Sequence, residues 1–152
     1  MAQGLTGTVT LGVDIGCRVT HSVNQSILDS TATILAFDTE RWDTDGIHDP
    51  VTNNSRLTVV TAGKYVICAN VEWDFTGVGI KIFSLRLRLN GTTEIGRNAR
   101  RQEDVAVQAL CTIYDLAVSD YVEVQVRQVT SSTINVVKTD QFSPEFMMQR
   151  IA

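Results

Sequence analysis

Two prolines, two histidines, three cysteines and no apolar run longer than the five residues Tyr65 to Ala69 mark this 152-residue chain. Each scarcity excludes something. A membrane-spanning helix needs about 20 consecutive apolar residues, so membrane insertion is not expected. Met1 to Ile15 has no basic start and no continuous apolar stretch, so no secretory signal is expected either. His21 and His48 stand in no spaced metal-ligand set, and both read as surface or turn residues. No nucleophile elbow, dinucleotide fingerprint or phosphate loop is present, which argues against an enzyme and leaves no catalytic residue or cofactor to name. Thirteen basic residues against seventeen acidic ones give a net charge of −4, which disfavours nucleic acid as a partner. Cys17, Cys68 and Cys111 are odd in number and widely spaced, without a paired-cysteine motif. They read as three reduced thiols, Cys68 and Cys111 as small, inaccessible core side chains, in keeping with assembly in a reducing cytoplasm.

What is abundant is β-branched. Val, Thr and Ile make up 48 of the residues, and such side chains pack well on a pleated sheet. Phe83, Leu85, Leu87 and Leu89 alternate with Ser84, Arg86 and Arg88, the period-two signature of a strand with one dry face. Asn90-Gly91 follows, a hairpin-turn dipeptide, with Thr92 to Ile95 returning. Tyr121 to Arg127 alternates as strictly. Lys64 to Trp73 is largely apolar on both faces, which suggests a central strand covered on its second side. Weaker strands are expected at Arg18 to Val23, Thr31 to Phe37, Arg56 to Val60, Ser132 to Val137 and Phe146 to Ile151. Arg100 to Leu116 reads as helix by composition or as strand by the alternation of Val105, Val107, Ala109, Cys111 and Ile113, and the alternation favours strand. Many short strands with frequent turns point to an all-β sandwich or jelly roll in one domain.

Three clusters hold what chemistry there is. Asp43, Asp45 and Asp49 surround Gly46, and Ca²⁺ takes roughly six to eight hard oxygens. The EF-hand spacing is not met, since Asn54 stands at position twelve counted from Asp43, so a turn built on Asp side chains and Gly46 is the expected reading. Arg97, Arg100 and Arg101 form the one basic cluster, a solvated loop or a small phosphate patch. The ten aromatic residues, Trp42 and Trp73 among them, serve as core, as interface or as a stacking platform for sugar.

Four segments in order carry a resemblance: Phe37 to Val59, Thr61 to Asp74, Leu87 to Ile95 and Phe142 to Ile151. With Phe37, Asp45, Gly46, Asp49, Ser55, Arg56, Leu57, Ala62, Gly63, Tyr65, Asn90, Gly91, Pro144 and Phe146 at matching positions, the chain resembles the C1q-like branch of the C1q/TNF superfamily in its phage and bacterial form. The resemblance implies a jelly-roll β-sandwich over residues 18–152 that associates as a homotrimer, preceded by an arm over residues 1–17. It further implies a binding or structural module, with Ca²⁺ bound in some members only.

The resulting expectation is a phage virion structural protein, a trimeric capsid decoration protein or head-fibre knob, assembled in the host cytoplasm and partnered by itself and by the major capsid protein or another virion protein. The alternative is a receptor-binding tip or adhesin module recognising carbohydrate or protein on a host surface. Tyr65, Ile67, Trp73, Ile113, Phe146 and Met148 are the trimer-interface candidates, because their strands hold more apolar residue than one sandwich core uses. Leu11, Val13 and Ile15, alternating with Gly12 and Asp14, are candidates for anchoring the arm to a capsid as an added strand.

Overall fold

Alternation along the chain decides the layering. The computed structural model describes residues 13–75, 77, 79–102 and 107–152, and among these there are twelve strands and no helix. They are β1 Gly16–Thr20, β2 Gln25–Ile27, β3 Thr33–Ile34, β4 Thr39–Asp43, β5 Arg56–Thr58, β6 Gly63–Asp74, β7 Lys81–Leu89, β8 Thr93–Gln102, β9 Val107–Leu116, β10 Tyr121–Val129, β11 Ile134–Val136 and β12 Glu145–Arg150. All their pairings are antiparallel. In the seven-stranded sheet β6 pairs with β9 on one edge, while β12 and β11 share its other edge. Beyond β12 come β1 and β4, and beyond β11 comes β2. The five-stranded sheet runs β8, β7, β10, with β3 and β5 sharing the far edge of β10.

The inward faces meet in one core. Tyr65, Ile67, Ala69, Val71 and Trp73 of β6, with Cys17, Val19, Phe146 and Met148, face Phe83, Leu85 and Leu87 of β7 and Val122, Val124 and Val126 of β10. Each such large side chain contributes about 1.5–3 kcal/mol by leaving water. Aromatic contacts span the layers, Trp73 to Phe83 at 5.3 Å and Phe37 to Phe146 at 5.5 Å between ring centroids. The Trp73 indole N–H donates to Gln108 Oε1 at 3.0 Å, and the Gln108 amide donates to the Asn98 carbonyl at 2.9 Å. That buried glutamine ties β9 to β8 across the open edge.

Local chemistry places the ends. Asn90 and Gly91 both take positive φ, 50° and 71°, as the tight hairpin between β7 and β8 requires. The ambiguous stretch from Arg100 is strand on both sides of residues 103–106, with Gln102 ending β8 and Val107 opening β9. Val105 lies outside the described residues. Two strands have no alternation to announce them: β2 is three residues long, and β4 is polar and mostly exposed.

The fold also begins earlier than residue 18. Ile15 is buried in the core, the Arg150 amide donates to its carbonyl at 2.8 Å, and Gly16 and Cys17 already pair with Gln149 and Met148. Ile15 is thus a core residue and not part of an anchoring arm. Val13 is 80% exposed, and Leu11 lies outside the described residues.

One ion cluster joins three strands on the outer side. Glu145 has no solvent exposure and accepts from Arg18 of β1 and Arg41 of β4. Two guanidiniums satisfy the carboxylate that β12 buries. Replacing Glu145 by alanine should remove the charge-assisted hydrogen bonds to both partly exposed guanidiniums and destabilise the fold by about 1.5–3 kcal/mol, read from urea unfolding. A change below about 1 kcal/mol would show the cluster to be solvent-screened.

Candidate interaction face

The register of the seven-stranded sheet sets out its outer face in rows. Trp42, Arg18, Met147, Cys68 and Cys111 lie side by side across β4, β1, β12, β6 and β9. The next row is Gly16, Gln149, Val66 and Ile113, and a third runs Thr20, Glu145, Asn70 and Ala109. Ile113 is 60% exposed, Val107 48% and Trp42 39%, with Ala109 and Cys111 exposed and Val66 and Met147 half-buried. The five-stranded sheet offers water a different surface: Arg56, Arg86, Arg88, Arg97, Arg101 and Arg127 with Glu94 and Glu123. Its outward apolar residues, Ile34, Ile82 and Val129, are scattered among these charges.

Of the interface candidates, Ile113 alone stands on this outer face. Tyr65, Ile67, Trp73, Phe146 and Met148 are at most 1% exposed, pointing into the protomer's own core. The physical reason is parity. A strand's side chains alternate, so within β6 and β12 the residues available to a partner are the intervening ones, Val66, Cys68 and Met147.

The cysteines require a second correction. Cys68 and Cys111 are directly opposed in the β6–β9 ladder, with Cα atoms 4.2 Å apart, and form a disulfide. They are neither unpaired nor core residues; the bond lies on the outer face with Cys111 exposed. Spacing in sequence hid a pairing that register creates. With it goes the support that reduced thiols gave to cytoplasmic assembly. Cys17 is the free thiol, buried, its pKa pushed far up by burial and by the Asp43 and Glu40 carboxylates.

The aspartate segment is a turn. Asp43 Oδ1 accepts the Asp45 amide at 3.1 Å and its Oδ2 the His48 amide at 2.9 Å, while Gly46 takes φ 66°. Asp49 Oδ1 accepts the Thr52 and Val51 amides at 2.8 and 2.9 Å. Asp43 and Asp49 thus cap the turn amides, whereas Asp45 Oδ2 is buried without a hydrogen-bond partner. Tyr65 ionises above its ordinary range because of burial, reinforced by Asp45. Among the described residues no three His, Cys, Asp or Glu side chains are grouped as a metal site. His48 is no surface residue: its imidazole is fully buried, 3.0 Å from Glu40 Oε1 and 3.3 Å from the Asn54 carbonyl, and it braces the turn. His21 lies within a shallow polar cleft, 3.5 Å from Asp38. Ser22 shares that cleft, and its hydroxyl donates to Asp38 Oδ2 at 2.6 Å.

Sequence reasoning missed Glu145, Arg18 and Arg41, because a buried acid met by two cations from distant strands leaves no local signal. Trp42 was visible as an aromatic but carried no side assignment.

Two antiparallel sheets packed face to face, with one polar and one partly apolar outer face, define an all-β jelly-roll sandwich. No family model and no curated protein sequence matches the chain. Among solved structures it is similar to the globular domain of zebrafish complement 1qA protein, with a TM-score of 0.61 and 11% identity over 91% of this chain and 98% of that one. The fold is C1q-like.

Two measurements check this site. Alkylation of the unfolded, unreduced chain should modify Cys17 alone, and prior reduction should raise the count to three; three without reduction would remove the disulfide. The Asp49 carboxyl is held below its ordinary value by the Thr52 and Val51 amides. A lowered folded-state pKa stabilises above the unfolded value, about 4, and the gain is lost as pH falls through the folded one. Asp49→Asn should therefore melt below the parent at neutral pH, with the gap closing under acid. A gap independent of pH would mean that the charge contributes nothing.

Proposed function

We propose that this chain is a non-enzymatic, homotrimeric structural protein of a phage virion, a capsid decoration protein or head-fibre knob. The observation that carries the reading is the inequality of the two outer faces. Contiguous exposed apolar surface marks an interaction site in soluble proteins, and here Val66, Met147, Val107, Ala109, Ile113 and Trp42 share one sheet face. Such a face on each protomer is buried when three copies close about an axis, leaving the arginine-bearing sheets outward. Closed symmetry uses the same patches on every copy and leaves none to propagate. The likeness in fold to a complement C1q globular domain supports the non-enzymatic part. The virion assignment is supported by the four ordered segments that resemble phage C1q-like domains, and by that alone now that Cys68 and Cys111 are paired.

Light scattering at micromolar concentration should give three times the protomer mass of 16.7 kDa, and a monomer would overturn the trimer. Ile113→Asp puts a charge at the most exposed apolar position of the face, on its β9 side, without touching the core, so it should yield a folded monomer with little change in melting temperature. Quantitative mass spectrometry of particles from a phage encoding the chain tests the rest. A copy number in multiples of three in purified heads supports decoration, and absence from particles sinks the virion reading.

A further inference from the structure

Six of the ten arginines stand on the outer face of the five-stranded sheet, accompanied by two glutamates and no lysine. In a chain of net charge −4 this is a pronounced segregation. Strand parity produces it. Arg86 and Arg88 alternate with the buried Leu85 and Leu87 of β7, and Arg86 is opposed by Arg97 of β8. The sequence cluster at Arg100-Arg101 divides: Arg101, opposite Ile82, joins Arg97 on the outer face, and Arg100, opposite Phe83, takes the other.

The array is shaped as well as charged. Ser84 and Ala99 are a directly opposed pair of small residues. The Arg86–Arg97 pair borders them on one side, Arg101 on the next, and Arg127 lies across from Ser84 on β10. Neighbouring strands are about 4.8 Å apart, so these side chains fall within one small patch. Arg97 is 53% exposed and Arg86 25%. Glu94 is shared between those two, at 3.5 Å from Arg86 Nε and 3.1 Å from Arg97 Nε, and Arg86 also reaches Ser84 Oγ and Gln125 Oε1, which leaves Arg86 Nη2 and the Arg97 terminal amino groups for another acceptor. Arg88 Nε is buried with no hydrogen-bond partner in the protein. Arg127 gives its Nε to the Ser30 carbonyl at 3.0 Å and forms the margin.

We propose that this face binds an acidic polysaccharide, whose sulfate or carboxylate groups seat on the Arg86–Arg97 pair and on Arg101. Guanidinium forks take such groups two oxygens at a time, which lysine cannot. The Ser84 hydroxyl and the Gln125 amide oxygen accept from the Arg86 guanidinium at 3.2 and 3.5 Å and so hold it in place within the patch. A protein partner needs a dry apolar centre, which Ile34, Ile82 and Val129 do not form. A nucleic acid would want exposed aromatic rings for its bases, and Tyr121, at the margin, lies beneath the Arg56 guanidinium at 4.0 Å. Each protomer carries the whole site, so the inference stands apart from the trimer, although three copies would multiply its avidity.

Titration calorimetry at low salt, with a size-defined heparin oligosaccharide as probe, tests it. The full chain should bind, and the combined Arg86→Gln, Arg97→Gln and Arg101→Gln variant should lose on the order of ten-fold or more in affinity. Arg97→Gln and Arg101→Gln singly, at exposed positions, should each lose part of it without a change in melting temperature. Lys64→Gln with Arg150→Gln, on the other sheet, should bind as the parent does. Equal binding by parent and triple variant, or an equal loss in the Lys64 and Arg150 control, overturns the proposal. So does an oligonucleotide or polyglutamate of matched charge that binds as tightly as heparin. Light scattering on the same samples separates the two readings: a heparin-binding monomer sinks the trimer alone, and a trimer without heparin binding sinks this site alone.

Discussion

The ladder on β6 is the constraint from which the rest follows. This strand is paired along both edges, with β9 on one and with β12 and β11 on the other, so its side-chain parity is imposed on each neighbour. Once Tyr65 and Trp73 point inward, Phe146 and Met148 must follow on β12, and Gln108 on β9. The same parity fixes Val66, Cys68 and Ile113 on the opposite side. A slip of one residue would exchange the two sets, putting Asn70 and Glu72 into the core, and the cost of burying those polar groups specifies the register strongly.

The sheet class was legible because period two is strong wherever one face is buried. Phe83 to Leu89 and Tyr121 to Arg127 show this, and Asn90-Gly91 marks the hairpin by the positive φ that its turn demands. The legible part stopped where alternation stopped. β4 holds its place through the buried Glu145 cluster and not through an apolar face, so nothing within Thr39 to Asp43 distinguishes it from loop. Ile15 shows the complementary failure. Its alternation with Leu11 and Val13 suggested the strand of an arm, yet one apolar side chain and one backbone bond from Arg150 draw it into the core.

The strands that carry the partly apolar outer face and the residues that form it were not equally readable. An excess of apolar residues on β6, β9 and β12 is a property of composition and survives any register. Which members of each strand face outward depends on pairing, and the bulkiest side chains went inward because a sandwich core rewards volume. The disulfide obeys the same logic. Cys68 and Cys111 are 43 positions apart in the chain, and only the β6–β9 register makes them neighbours.

Charge completes the asymmetry between the sheets. On the outer side of the seven-stranded sheet the buried Glu145 carboxylate is met by the partly exposed Arg18 and Arg41, so apolar neighbours such as Trp42 and Met147 sit beside an internally bridged cluster. The outer side of the five-stranded sheet leaves arginines in excess over glutamates and exposes them. A face whose few charges bridge one another costs less to desolvate than one on which six arginines outnumber two glutamates, and the latter attracts an opposite charge. The two sheets of one sandwich thereby present different outer surfaces without any change in backbone architecture, through the identity of every second residue.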